Sequence, residues 1–237
     1  RQDHDAYVAT DGAAAHKYIR WPFHNVAAAC WITVHYDAAN AVLRAEAPVV
    51  MAADLHSERQ MLTQLFGALA KRPSSIATTW AGEAKDYASL RRAATFHGLR
   101  QPPQLCNTWT HHRERLDLCR ATRGQAEPIH LPELLAALSI PCKPSPSKEI
   151  GKLVENGDWA KVKEQVLADV LATTALAVRH LYSHRVIDVD PDHAMLAIGK
   201  AAADALPHSR FVHRTFLPWA EGRSAKNIAS GAAALAA

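Results

Sequence analysis

The 237-residue chain has no uninterrupted apolar run near the roughly 20 residues that cross a bilayer. Its opening residues do not read as a secretory leader, so a soluble protein with no membrane partner is expected. Its four cysteines, Cys30, Cys106, Cys119 and Cys142, are widely spaced and form no CxxC pair. A chain this long has no need of disulfide staples, which points to a reducing, intracellular compartment. There is no GxSxG elbow, so a Ser/His/Asp hydrolase has little support. No internal repeat is found. The chain opens at Arg1 without an initiator Met, as a trimmed N-terminus or a removed transit peptide would leave it.

What is present excludes a disordered or fibrous protein. Hydrophobic residues make up 49% and charged residues 21%, enough apolar surface to bury a full core. Ala is about a fifth of the chain, and its low side-chain entropy cost favours helix over strand. Lys and Arg (27) exceed Asp and Glu (23), a formal charge of +4 that is compatible with a nucleic-acid partner.

Two β-like runs come early, over 26–36 and 41–52, joined by a turn at Asp37 to Asn40. From Ser57 the apolar residues Met61, Leu62, Leu65, Phe66 and Leu69 recur at three-to-four spacing, which predicts an amphipathic helix ending near Lys71 to Pro73. A short strand is expected at 75–80 and a helix from Asp86 to His97, stopped by Gly98. HHRERLDLCRA and HLPELLAALSI read as short helices. Ser147 is a candidate N-cap for a helix through Val154, closed by Asn156 and Gly157. A long helix is expected from Trp159 to His184, then one more helix and an apolar anchor over 211–221. SAKNIASGAAALAA reads as a low-complexity tail, mobile or ordered by a partner.

Asp169 is the most informative single residue. It is the only charge in VLADVLATTALAV, on the stripe Val162, Val166, Asp169, Thr173, Leu176. An ionised carboxylate there needs a cation, a metal or a set of donors to compensate it. Asp86, in TTWAGEAKDYASL, follows a strand and a glycine turn and opens a helix; it reads either as a site carboxylate or as a dipole-favoured first-turn residue. Cys106, His111, His112 and Cys119 fall within fourteen residues but lack the short paired loops of structural zinc sites. Basic residues cluster at Arg91, Arg92 and Arg100, at Arg113, Arg115, Arg120 and Arg123, and at Lys143, Lys148, Lys152, Lys161 and Lys163. These are solvated helix faces or a phosphate-binding surface, and Trp80, Trp109 and Trp159 are core residues or base-stacking platforms.

Over about 200 residues, from Trp21 to Glu221, the chain resembles the predicted 3′→5′ exonucleases related to the exonuclease domain of family-B DNA polymerases. These belong to the DEDD, ribonuclease-H-like superfamily. WPFHNVAAACWITV resembles the family's Pro-(Phe/Leu)-His block. AGEAKDYA resembles its second motif, Asn-Gly-x-x-Phe-Asp-x-Pro, placing that Asp on Asp86. RLDL, with Asp117, matches a His-x-Asp-Leu block. SIPCK matches Gly-Leu-Pro-Gly-Lys, and SKEIGKLVENGD matches Gly-Ser-x-Val…Gly-Asp. QVLADVLAT resembles the third motif, Tyr-Cys-x-x-Asp-Val-x-x-Thr, placing its Asp on Asp169, and FLPWAEG resembles the C-terminal helix.

The chain also departs from the family. The first motif, Asp-Ile-Glu-Thr, has its best counterpart in AYVATDGAA, which keeps Asp11 but puts Ala13 in place of the Glu; alternatively the motif lies before Arg1. The third motif's Tyr, which orients the attacking water, becomes Gln165, and its Cys becomes Val166. The second motif's Asn becomes Ala81 and its Phe Lys85.

The resemblance implies an α/β fold, a ribonuclease-H-like mixed sheet flanked by helices with a helical C-terminal extension. The expected organisation is an exonuclease-like region over 1–185, the extension over 186–222 and the tail over 223–237. Asp11, Asp86 and Asp169 are then vestigial carboxylates, the ligands of Mg²⁺ or Mn²⁺ if any metal binds. Loss of the Glu removes the ligand able to bridge two ions, and Gln165 cannot accept a proton from water. The leading expectation is a non-catalytic, exonuclease-like component of a ribonucleoprotein assembly, with RNA and protein partners and no small-molecule cofactor. A mitochondrial ribosome or its assembly intermediates is the suspected setting. The alternatives are an active two-metal 3′→5′ exonuclease and a purely protein-binding scaffold.

Overall fold

The structure, a computed structural model, describes residues 21–109, 112–145 and 149–235, with side chains described as far as Lys226. In chain order its elements are a 3-10 turn at Trp21–Phe23, then β1 (Ala28–Trp31), β2 (Val34–Asp37), β3 (Val42–Ala45) and β4 (Val49–Ala52). Next come α1 (Glu58–Ala70), β5 (Ala77–Thr79), α2 (Asp86–His97), α3 (Pro103–Cys106), β6 (Arg115–Asp117) and α4 (Leu118–Arg123). The chain closes with α5 (Leu131–Ala137), α6 (Ile150–Glu155), α7 (Trp159–Ser183), α8 (Pro191–Ala205), a π turn at Val212–Phe216 and α9 (Leu217–Leu235). It is a mixed α/β chain in which helix dominates. β1 pairs with β4, β2 with β3 and β5 with β6, and no larger sheet forms among the described residues.

The described residues divide into two compact units that interleave along the sequence. One is drawn from residues up to Ala29, from Met51–Pro128 and from the stretch ending at Lys163. The other is drawn from Cys30–Val50, Ile129–Pro146 and the stretch from Glu164 on.

In the first unit, Ser57 caps α1 through a reciprocal box with Gln60, satisfying two backbone donors at the helix start. The apolar stripe of α1 then buries Leu62 and Phe66 against Tyr87, Ala93 and Ala94 of α2 and Leu105 of α3. α2 ends where Gly98 adopts a left-handed conformation (φ 63°), a backbone that glycine reaches without a Cβ penalty. Glu58 anchors the α1 end of this layer. Its carboxylate accepts the Val26 N–H at 2.7 Å and pairs with Arg92 and His97, each at 2.8 Å. Gln104, fully buried, donates to the carbonyls of Leu69 and Arg72 and so ties α3 to the C-terminal end of α1.

In the second unit, β2 and β3 form an antiparallel hairpin with Val34 opposite Ala45 and Asp37 opposite Val42. Asp37 closes the turn by accepting the Ala39 and Asn40 amides and the Asn40 side chain. The helical core is rich in small residues: Ala168, Ala172 and Ala175 of α7 and Ala194 and Ala202 of α8 are buried, beside the larger Ile198. Gly199 lets α8 approach α9 closely, since a Cβ there would lie 3.2 Å from Leu217 Cδ1. Glu164 accepts from Ser209 Oγ and from the Arg210 and Phe211 amides, fixing the start of the π turn.

Several expectations hold with little change: the hairpin turn, α1, α2 with its Gly98 stop, α5, α7 and α8. Others are corrected. The runs over 26–36 and 41–52 each split into two strands. Pro48, lacking an N–H, interrupts the second run, and Thr33, whose carbonyl accepts the Glu46 N–H at 2.8 Å, lies across from that interruption. HHRERLDLCRA is strand before it is helix: parallel pairing of β6 with β5 takes Arg115 to Asp117, and α4 starts only at Leu118. The residue preceding α6 is Glu149, and Ser147 lies outside the described residues. The backbone of α9 continues to Leu235 where a low-complexity tail was expected, in keeping with the helix propensity of its alanines.

Candidate functional site

Asp169 sits nearly three turns inside α7, and the expectation that it has a partner is met. Lys143 Nζ lies 2.8 Å from its Oδ2. Lys143 is only 10% exposed and the Asp169 side chain 33%, so each charge relies on the other. Burial raises the Asp169 carboxyl above the usual carboxylate range, and the Lys143 hydrogen bond and charge oppose that rise. Asp169 also acts on Cys30, whose thiol is pushed up to about 12, first by burial and then by this neighbouring carboxylate.

Gln165, one turn earlier, is the more deeply buried of the two polar side chains, at 1% exposure. Its Oε1 accepts the Ser145 N–H at 3.2 Å and its Nε2 donates to the Ser145 carbonyl at 2.7 Å. The amide thus clasps one residue of the segment that carries Lys143. The resemblance aligns Gln165 with the Tyr that orients the attacking water. In the structure the side-chain oxygen and nitrogen of Gln165 are both engaged with Ser145.

Asp86 belongs to the first unit. It is the first residue of α2, exposed, in the turn where the helix macrodipole favours a carboxylate. The buried carboxylate that holds the loop before α2 is Asp117. Asp117 caps α4 through the Cys119 N–H (3.0 Å) and also accepts the Ala81 N–H (2.9 Å) and the Glu83 N–H (3.2 Å). Two of these three amides, those of Ala81 and Glu83, tie the loop that leads into α2 to the start of α4. The loop is tight: Ala81 is left-handed (φ 56°), and a Cβ on Gly82 would lie 2.1 Å from Thr79 Oγ1. Asp11 lies outside the described residues.

Several basic residues are turned inward instead of forming a free surface. Arg115 is buried, paired with Glu83 at 2.6 Å and bonded to the carbonyls of Gln104, Asn107 and Trp109. Lys163 pairs with Asp54 at 2.6 Å, and Lys143 is held by Asp169. Of the four candidate zinc ligands, His111 is outside the described residues, Cys106 is exposed and Cys119 buried. Among the described residues no group of three or more His, Cys, Asp or Glu is placed to hold a metal ion. Among the described residues no helix is long and apolar enough to cross a membrane.

The described residues do not fit a pair of Mg²⁺ or Mn²⁺ ions. Such ions need several oxygen ligands with carboxylate charge. Here an ammonium lies against Asp169 Oδ2, three amides already donate to Asp117, and Gln165 contributes no charge and is already engaged.

No protein-family model, no curated protein and no solved structure matches the chain significantly.

Proposed function

We propose that the chain is a non-catalytic relative of the 3′→5′ exonucleases, a ribonuclease-H-like scaffold that serves as a nucleic-acid-binding component of a ribonucleoprotein assembly. One observation carries this reading. At the position aligned with the third motif's carboxylate, Asp169 is compensated by Lys143 at 2.8 Å, a fixed cation supplied by the chain itself. The clasp of Gln165 on Ser145 supports it, because the position aligned with the water-orienting Tyr does a structural task. The excess of basic over acidic residues supports a polyanionic partner, since phosphate contacts supply most sequence-independent affinity.

Sedimentation of a cell lysate tests the reading. The protein is expected to travel with large particles and to shift to its free position when the lysate is treated with ribonuclease. Migration as a free protein in untreated lysate would remove the assembly from the account.

A further inference from the structure

Two of the exposed aromatic side chains in the described residues share a groove. Trp21, in the 3-10 turn, is 51% exposed, and Phe96, in the last turn of α2, is 74% exposed. Both line an open groove of about 630 Å³, with Ala88, Arg91, Arg92 and Thr95 of α2 making up the rest. α2 spends its apolar stripe elsewhere, burying Tyr87, Ala93 and Ala94 in the core. Phe96 is therefore outside the packing that holds the helix in place. A single exposed aromatic needs no explanation, but two lining one groove together with Arg91 and Arg92 make a surface of definite chemistry.

The guanidinium groups are held in place. Arg91 donates from Nε to the Leu105 carbonyl at 3.1 Å and from Nη2 to the Asn107 carbonyl at 3.2 Å, and its guanidinium lies 5.9 Å from the Tyr87 ring centre. Its bonds go to neutral carbonyls, so they anchor the side chain without cancelling its charge. Arg92 donates to the His24 carbonyl at 2.6 Å and shares Glu58 with His97. A groove whose cations are already ordered loses little side-chain entropy when a ligand arrives.

We propose that this groove is a stacking site for unpaired bases of a single-stranded nucleic acid, with bases on Trp21 and Phe96 and backbone phosphate drawn to Arg91. The proposal rests on the nucleic-acid-binding reading above and gives that binding a place. Aromatic faces accept any base, and a fixed cation in the lining of the same groove suits a polyanion whose charge repeats along the strand. An apolar peptide would satisfy the rings but would offer nothing to the Arg91 guanidinium.

The test is fluorescence anisotropy with labelled dodecauridylate and with an abasic ribose-phosphate oligomer of equal length. The proteins are the wild type, Trp21→Ala, Phe96→Ala, Phe96→Tyr and, as a control at an exposed site elsewhere, Leu55→Ala. Both alanine variants at the groove are expected to bind dodecauridylate about tenfold or more weakly, the loss of one stacked base. Phe96→Tyr keeps the ring and retains wild-type affinity, as does Leu55→Ala. The abasic oligomer binds all five proteins alike. Unchanged dodecauridylate affinity in Trp21→Ala and Phe96→Ala overturns the groove while leaving nucleic-acid binding intact. Failure of the wild type to bind either oligomer at low salt overturns both. Thermal unfolding of each variant confirms the folded state, which exposed side chains such as Phe96 are not needed to maintain.

Discussion

Lys143 Nζ and Asp169 Oδ2 are 2.8 Å apart, an ion pair between a segment that follows α5 and the middle of α7. Breaking such a pair from one side leaves a charge with little water and no partner, whereas removing both charges can be nearly neutral. Lys143→Met alone is expected to destabilise the protein by about 2–4 kcal/mol, and Asp169→Leu alone by a similar amount. The double variant should lie within about 1 kcal/mol of wild type. Urea unfolding of the four proteins gives the coupling energy directly.

The pH dependence of the pair has a definite sign. The folded-state pKa of Asp169 is raised above its ordinary 3.8, so the folded state holds that proton more tightly than the unfolded chain. The stability this contributes is fully present below pH 3.8 and is lost as pH rises through the raised value. Asp169→Asn cannot titrate. Unfolding free energies measured from pH 3.5 to 7, about the span in which a carboxyl releases its proton, should therefore show wild type losing ground to Asp169→Asn as pH rises. A difference that grows in the opposite direction would mean that the Lys143 charge outweighs burial.

Asp117 and Ala81 make a second testable relationship. The Asp117 carboxylate accepts three backbone amides, so Asp117→Ala should cost about 2–4 kcal/mol, more than a helix cap alone. Ala81 holds a left-handed backbone that glycine or asparagine tolerates better. Ala81→Gly should stabilise the protein by about 0.5–1 kcal/mol despite removing a side chain. Thermal unfolding of both variants checks the two signs together.

The thiols should separate into two classes. Cys106 and Cys142 are exposed, Cys119 is buried, and Cys30 is held at about 12 by burial and by Asp169. Only the thiolate reacts with a disulfide reagent. At pH 8 the native protein should release two equivalents of thionitrobenzoate quickly, and the other two only after unfolding.

How far the sequence could be read depended on what kind of interaction decided each element. Local signals were legible: the capping box of Ser57 and Gln60, the Gly98 stop of α2 and the apolar period of α7 each act within a turn or two of chain. The partner of Asp169 was legible as a need, because a carboxylate in an apolar stripe must be compensated. Its identity was not, since Lys143 lies 26 residues away and stood among basic residues that read as a solvated face. Arg115 misled in the same way: it sits in an arginine-rich stretch, yet its guanidinium is buried on Glu83 and three carbonyls. The strand at β6 was missed because parallel pairing with β5, 38 positions earlier, overrides a short helical pattern. The groove of Trp21 and Phe96 left one usable trace, an aromatic residue placed off the buried stripe of an amphipathic helix.

The central claim is that a chain-supplied cation at Asp169 marks a scaffold without nuclease chemistry. It is tested most directly by incubating the purified protein, including any residues that precede Arg1, with 5′-labelled single-stranded DNA and RNA in Mg²⁺ or Mn²⁺, beside an Asp169→Ala control. The account predicts that both labelled strands keep their full length with either protein. Progressive shortening from the 3′ end by the wild type, abolished in Asp169→Ala, would contradict it.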